Sequence, residues 1–229
     1  MAVQREHFFP TAVFNGKQHT MKLDHQDILN LPKIPRLNLI NSMVGFKSAN
    51  LVSTIDPSGT PNLAIFSSII HMGSNPPLVG FVTRPLSVER HTYNNIKQTG
   101  FYTINSIQQG MIERAHQTSA KYEAQENEFE MCQFEEQTGD KLPVPYVAES
   151  SIKIGLSYVE EHHIKANDTI LVIGQIEELI IPEGSMQDDG FVDLSNYEVV
   201  TISGLDSYLL PSKITRLRYA RKNEKVAPL

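Results

Sequence analysis

Short runs of β-branched and aromatic residues, each closed by turn residues, dominate the chain. Such runs predict strands, and their spacing predicts a sheet built largely from hairpins. Phe46–Ile55 reads as a strand. Asp56-Pro57-Ser58-Gly59 is a turn signal, because Pro presets φ, Asp and Ser bond the nearby backbone, and Gly accepts a positive φ. Asn62–Ile70 returns as the second strand of that hairpin. After Pro76-Pro77, the run Leu78-Val79-Gly80-Phe81-Val82 is nearly all apolar, which predicts a central strand covered on both faces. Phe101–Asn105 is a further strand. Ser151–Glu160 and Thr169–Ile181 are two longer β-rich runs, with the turn between them in Ile164–Asp168. Val199–Ile202 reads as a short strand or a helix end.

Helical signals are fewer. Ser87, then Val88–Thr99, then Gly100 give an N-cap, a helix and a C′ glycine in the expected order. Gln108–Gln117 reads as helical, and Lys121–Asp140 as an acidic loop with a short helix. Near the start, Asn15-Gly16 predicts a type I′ hairpin turn. Asp24 then caps a short helix through Leu29 that Pro32 stops. Residues 1–35 are therefore expected to form an arm with a hairpin and a short helix. Residues 36–229 would form the main domain, with a C-terminal extension that includes the basic stretch Arg216–Lys225. One capped helix inserted after the third strand does not make a βαβ alternation. The expected class is mainly β, an antiparallel barrel with peripheral helices.

Composition narrows the function. A chain of 229 residues with 40% hydrophobic residues can build a real core. Its net charge of −6 argues against general nucleic-acid binding, which needs a basic face. The single cysteine, Cys132, cannot form an internal disulfide and reads as a small, partly buried apolar residue. No run approaches the roughly 18 apolar residues of a membrane span, and Met1–His7 lacks a signal peptide's apolar stretch. The protein is expected to be cytoplasmic, without membrane or nucleic-acid partners. His162 and His163 adjoin Glu160-Glu161, but adjacent strand residues face opposite ways, so an exposed turn is expected there and not a metal site. The sequence carries no H-E-x-x-H, no G-x-S-x-G, no P-loop and no G-x-G-x-x-G.

Two stretches could carry chemistry. In Arg84-Pro85-Leu86-Ser87-Val88-Glu89-Arg90-His91-Thr92, cations sit at a helix start, where the dipole opposes them unless an anion such as phosphate is bound. Glu89 could instead neutralise Arg84 or Arg90. In Asn62–Met72, Ser67 and Ser68 interrupt an apolar strand, and buried hydroxyls need partners. A flat, polar-edged ring would supply them, as would a strand leaving the core. A third stretch, Ala115–Tyr122, could close over a ligand but reads more simply as a helix-to-loop transition.

The order of these motifs resembles the flavin reductase-like family of FMN-binding split barrels, which includes flavoredoxin. Leu51-Val52-Ser53-Thr54-Ile55-Asp56 with Gly59 and Asn62-Leu63-Ala64 looks like the family's opening hairpin. Phe66-Ser67-Ser68 and Pro76-Pro77 look like its flavin-side strand. Arg84–Thr92, Asn95-Ile96, Gly100-Phe101 and Asn105 look like its phosphate-side helix and next strand. Tyr146–Ser150 and Asn167-Asp168-Thr169 resemble later family features. The resemblance implies a six-stranded Greek-key barrel and a homodimer with FMN near the subunit interface. It implies that Asn62, Ala64, Phe66, Ser67 and Ser68 line the isoalloxazine and ribityl parts, and that Arg84, Ser87, Arg90, His91 and Thr92 hold the phosphate. It implies two-electron transfer through FMN, exchanged with a small-molecule redox partner or an electron-transfer protein. Two-component reductases carry a C-terminal His-Gly-like element that helps place NAD(P)H. The corresponding Ser203–Pro211 has no histidine, so the resemblance carries flavin binding further than NAD(P)H use. A flavin carrier without its own NAD(P)H site, or an enzyme like pyridoxamine-phosphate oxidase, are the alternatives.

Overall fold

The computed structural model describes residues 20–229, so the Asn15-Gly16 hairpin lies outside the described residues. Asp24 caps helix α1 (His25–Asn30) as its sequence requires. Its carboxylate accepts the Asp27 N–H at 2.9 Å, and the Asp27 carboxylate accepts the Asp24 N–H at 3.1 Å. Helix α1 stops before Pro32, as expected. A second helix, α2 (Lys33–Met43), starts directly after that proline and runs through residue 35, where the sequence reading ended the arm. Pro35 falls in its first turn, where a missing N–H costs nothing because that group has no partner inside the helix. None of its side chains is buried, and its apolar residues Ile34, Leu37, Ile40 and Met43 stay exposed.

The strands follow as β1 (Lys47–Ser48), β2 (Asn50–Ile55), β3 (Pro61–Phe66), β4 (Ile69–Ser74) and β5 (Pro77–Thr83). Helix α3 (His91–Thr99) precedes β6 (Phe101–Ser106). Helices α4 (Ile112–Gln117) and α5 (Glu128–Met131) precede β7 (Glu136–Gln137), β8 (Tyr146–Val147), β9 (Lys153–Ile164) and β10 (Thr169–Ile180). The chain closes with β11 (Thr201–Ser203) and β12 (Ser207–Leu209). β1 pairs with β11, while β2 pairs with β3 and β6, so the run 46–55 is shared between two sheets.

The principal sheet is antiparallel, in the order β3-β2-β6-β9-β10-β5-β4. Its two outermost strands, β3 and β4, are consecutive in the chain and separated only by Ser67 and Ser68. Two residues reach no more than about 7 Å beyond the strand ends, so the sheet curls until its edges meet. The pairing gives seven strands where six were expected, because the run Asn62–Ile70 splits at this bend. Ser68 shows why. Its hydroxyl donates to the Val82 carbonyl at 2.8 Å and accepts the Val82 N–H at 3.2 Å, so a side chain takes the place of the main-chain ladder. β5 lies between β10 and β4, the interior position its apolar run predicted.

Side chains fill the curled sheet. Val52, Phe81, Tyr102, Ile104, Leu156 and Val172 form one core with Ile96 of α3. Phe66, Phe81 and Tyr102 stack edge to face, with centroids 5.0 and 5.6 Å apart. Gly174 on β10 faces the Tyr102 hydroxyl, and a Cβ there would collide with it. A second core lies outside the barrel, where Leu51, Leu63, Met111, Ala115, Phe129 and Val147 pack under α4 and α5. Adjacent residues Leu51 and Val52 thus serve the two cores on opposite faces of one strand. Cys132 is buried and free in the outer core, with its Sγ 3.5 Å from the Tyr122 hydroxyl. His162 and His163 lie exposed at the end of β9, still within the strand, beside Glu160 and Asp168.

Candidate functional site

Helix α3 is fixed on both flanks. On one side, Thr54 of β2 accepts from Asn62 Nδ2 at 3.3 Å and from Asn95 Nδ2 at 3.1 Å, while Asn62 Nδ2 also reaches Thr92 Oγ1 at 3.1 Å. All four residues are buried. Buried amides and hydroxyls are costly unless bonded to one another, so this network specifies one position for the helix start. On the other side, the Tyr93 hydroxyl donates to Glu161 of β9 at 3.0 Å. Lys97 pairs with Glu161 at 3.2 Å and donates to the Tyr158 hydroxyl at 2.7 Å. Partial burial, and then the Glu161 carboxylate, raise the Tyr93 pKa, which keeps that phenol a neutral donor. Gly100 ends the helix at φ +81°, a conformation that costs glycine nothing.

The helix starts later than its sequence suggests. His91 is its first residue, and Arg90 occupies the N-cap without a capping side-chain bond. Ser87 is exposed in a turn with Leu86 and is not the cap. The N-cap reading fails because the segment after β5 first turns and only then winds. Among the described residues, Arg84 makes no hydrogen bond or ion pair. The Arg90 side chain bonds, among the described residues, through Nε to the Pro85 carbonyl at 3.4 Å. Glu89 does not neutralise either arginine, since its carboxylate accepts from Asn94 Nδ2 at 3.5 Å. Neither guanidinium is therefore bound to a carboxylate among the described residues.

The outer edge of β3 has a different arrangement. Leu63 N–H points away from β2 and is accepted by Glu128 Oε2 at 3.0 Å. Glu128, on α5, is 5% exposed. Burial raises its pKa, and the Leu63 N–H only partly offsets that. Alternation along the ladder turns the Ile65 N–H to the same outer side, closer to the bend. The acidic segment 121–140 thus packs on the strand that carries Asn62, Ala64 and Phe66 of the sequence-read site.

Of those residues, Asn62 and Thr92 are 7% exposed and bonded to each other. Phe66 turns its ring inward onto Phe81, leaving its backbone at the bend beside Ala64. Ser68 has its hydroxyl filled by Val82, so no ligand is needed to satisfy it. Ser67, next to it, makes no side-chain hydrogen bond among the described residues. His91 lines a cleft of about 170 Å³ with Asp56, Asn62, Glu89, Asn94 and Gln98. The structure therefore joins the two stretches at the start of β3, where Asn62 meets Thr92 and shares a cleft with Glu89 and His91, while the bend at Ser68 is tied to Val82 at the end of β5. Sequence reasoning gave Thr54 and Asn95 no individual role and passed over Glu128. Each acts on a partner distant in the chain, and no local pattern marks such a bond.

The flavin reductase like domain family matches residues 45–196. The chain belongs to that family. A candidate flavin reductase with a split barrel domain from Shewanella frigidimarina NCIMB 400 is 44% identical, with a TM-score of 0.85, covering 88% of this chain and 100% of its own. Nitrilotriacetate monooxygenase component B from Bacillus cereus shares the fold at 15% identity, with a TM-score of 0.77 and coverages of 88% and 100%. An FMN-binding protein from Thermus thermophilus, solved with bound 1-cyclohex-2-enone, shares it at 16% identity, with a TM-score of 0.64 and coverages of 79% and 93%. The family assignment and this neighbour set support a flavin-related enzyme with a split-barrel fold. Among the described residues, no helix is long and apolar enough to cross a membrane.

Proposed function

We propose that this flavin reductase-like chain is an FMN-dependent oxidoreductase that exchanges two electrons with a small-molecule partner or an electron-transfer protein. One observation carries the choice of a phosphorylated flavin: Arg84 and Arg90, in the connection that leads into α3, have no carboxylate partner among the described residues. An anion there would accept charge-assisted bonds from both and from N–H groups at the start of α3. The cleft at His91 fits a fragment of the ligand, not the whole, since sites for complete drug-sized molecules begin at roughly 300 Å³. In this reading the ring lies along the outer face of the β3 bend, and a second copy of the chain completes its cover. If β3 and β4 are taken as one strand bent at Ser67-Ser68, the barrel has the six strands of the expected Greek key.

Bound FMN would supply the hydride and electron chemistry. The chain's own groups bind and orient. Arg84, Arg90, His91 and Ser87 hold the phosphate. The Ser67 hydroxyl and the outward Ile65 N–H would meet the ring's polar edge, beside Ala64 and the Phe66 and Ser68 main chain, while the Leu63 N–H stays bonded to Glu128. Asn62 and Thr92, already bonded together, fix the distance between strand and helix. Titration of the protein with FMN, followed by absorbance, should reach saturation at one equivalent per chain. A protein that leaves the FMN spectrum unchanged refutes this function. Mixing the complex with NADH or NADPH under argon then separates a reductase, which bleaches the flavin, from a carrier, which does not.

A further inference from the structure

Charge is unevenly divided along this chain. Residues 210–229 contain six Lys or Arg and one Glu, a net charge of +5 in a chain whose total is −6, so residues 1–209 carry −11. The basic segment folds back on itself. Arg218 N–H donates to the Ala227 carbonyl at 2.9 Å, Leu229 N–H donates to the Arg216 carbonyl at 3.0 Å, and Leu217 bridges to Pro228. A two-stranded ribbon with no core of its own is marginal in water. This one is also unusually apolar for its exposure. Ile214 is 95% exposed and Tyr219 92%, and Leu217, Val226 and Leu229 are exposed as well.

The root of the ribbon is anchored. Lys213 pairs with Asp193, Arg216 pairs with Asp189 at 2.6 Å, and the Arg216 guanidinium lies 4.0 Å from the centre of the Phe191 ring. These contacts use the two cations nearest the body. Beyond them, Arg218, Lys222 and Lys225 make no ion pair among the described residues, and Arg221 has only Glu224 at 4.0 Å. The anchor therefore sets the direction of a segment whose distal cations and apolar side chains face away from their own chain.

We propose that residues 210–229 are an arm that docks on a second copy of this chain. The charge separation selects that occupant, because the surface a second copy offers is the strongly acidic body of residues 1–209. The proposal rests on the homodimer in the functional reading above and specifies what holds it together. The arm's apolar residues supply the buried contact, and its cations set orientation and encounter rate.

The test measures self-association of the full chain by sedimentation velocity across a concentration series. The wild-type protein should be a dimer. Arg218→Glu/Arg221→Glu/Lys222→Glu should weaken dimerisation by about ten-fold or more, with an unchanged circular dichroism spectrum. Ile214→Ser/Tyr219→Ser, which leaves the charges in place, should weaken it as well. Added salt at about 0.5 M should weaken the wild-type dimer and have less effect on the charge variant. Equal dimerisation by wild type and both variants overturns the arm while leaving the homodimer standing. A monomeric wild type overturns both, and so does a monomer that binds vesicles of anionic phospholipid through the arm. FMN titration of the same samples reads the cofactor independently, so a dimer that ignores FMN refutes the proposed chemistry and not the arm.

Discussion

Helix α3 and the seven residues before it belong to one connection, yet they use their polar groups in opposite ways. In α3 most polar side chains have a protein partner: Thr92 and Asn95 on the barrel side, Tyr93 and Lys97 on the β9 side. In residues 84–90 the two strongest charges bind no carboxylate among the described residues, and Ser87 is exposed. The helix is a fixed frame, and the loop leaves its cations without a carboxylate partner among the described residues. On the proposed reading, stability belongs to the first and binding to the second, and substitutions should separate them.

The largest separation is expected from Arg84→Ala/Arg90→Ala. Each lost charge-assisted bond is worth about 1.5–3 kcal/mol, so FMN affinity should fall by at least one order of magnitude in absorbance or fluorescence titrations. Unfolding in urea should shift by no more than about 0.5 kcal/mol, as for exposed sites elsewhere. A large loss of stability with unchanged affinity would invert the comparison. Thr54→Val should do the reverse. It keeps the side chain's shape but removes the acceptor that Asn62 and Asn95 share, at a cost of about 1–3 kcal/mol in stability. Any effect on FMN should follow only from movement of the helix start.

The smallest effect concerns Glu128. Its carboxyl ionises at an ordinary value of 4.5 when unfolded, and burial raises that value in the fold. The folded chain therefore holds this proton to higher pH than the unfolded chain. The resulting stability is full below the ordinary value and is lost as pH rises through the raised one. Glu128→Gln keeps an acceptor for Leu63 N–H and removes the titration. Urea unfolding between about pH 4 and pH 7 should show the variant gaining on the wild type as pH rises. Parallel pH profiles would show that the carboxyl does not titrate in this way.

Much of this organisation could be read from the chain because it is local. Asp24 announced α1, Gly100 announced the end of α3, and the apolar run 78–82 announced an interior strand. What escaped depends on partners far apart. Ser87 looked like a cap because its neighbours were helical in pattern, but the turn after β5 uses it first. The pair Ser67-Ser68 looked like hydroxyls waiting for a ligand, and Ser68 instead bonds Val82, fourteen residues on. Glu128 sat in a weakly patterned acidic stretch and reaches across to Leu63, which no periodicity could show. Helix α2 escaped for another reason: it starts directly after Pro32 with no capping side chain, so nothing local marks its beginning.

The aromatic stack of Phe66, Phe81 and Tyr102, admitted by the missing side chain at Gly174, has a consequence for how such a protein can change. With its lumen solid, the barrel offers guests no tunnel whose bore would limit their size. Selectivity then rests with whatever borders the outer wall, and the plugged centre can stay constant while that border diversifies.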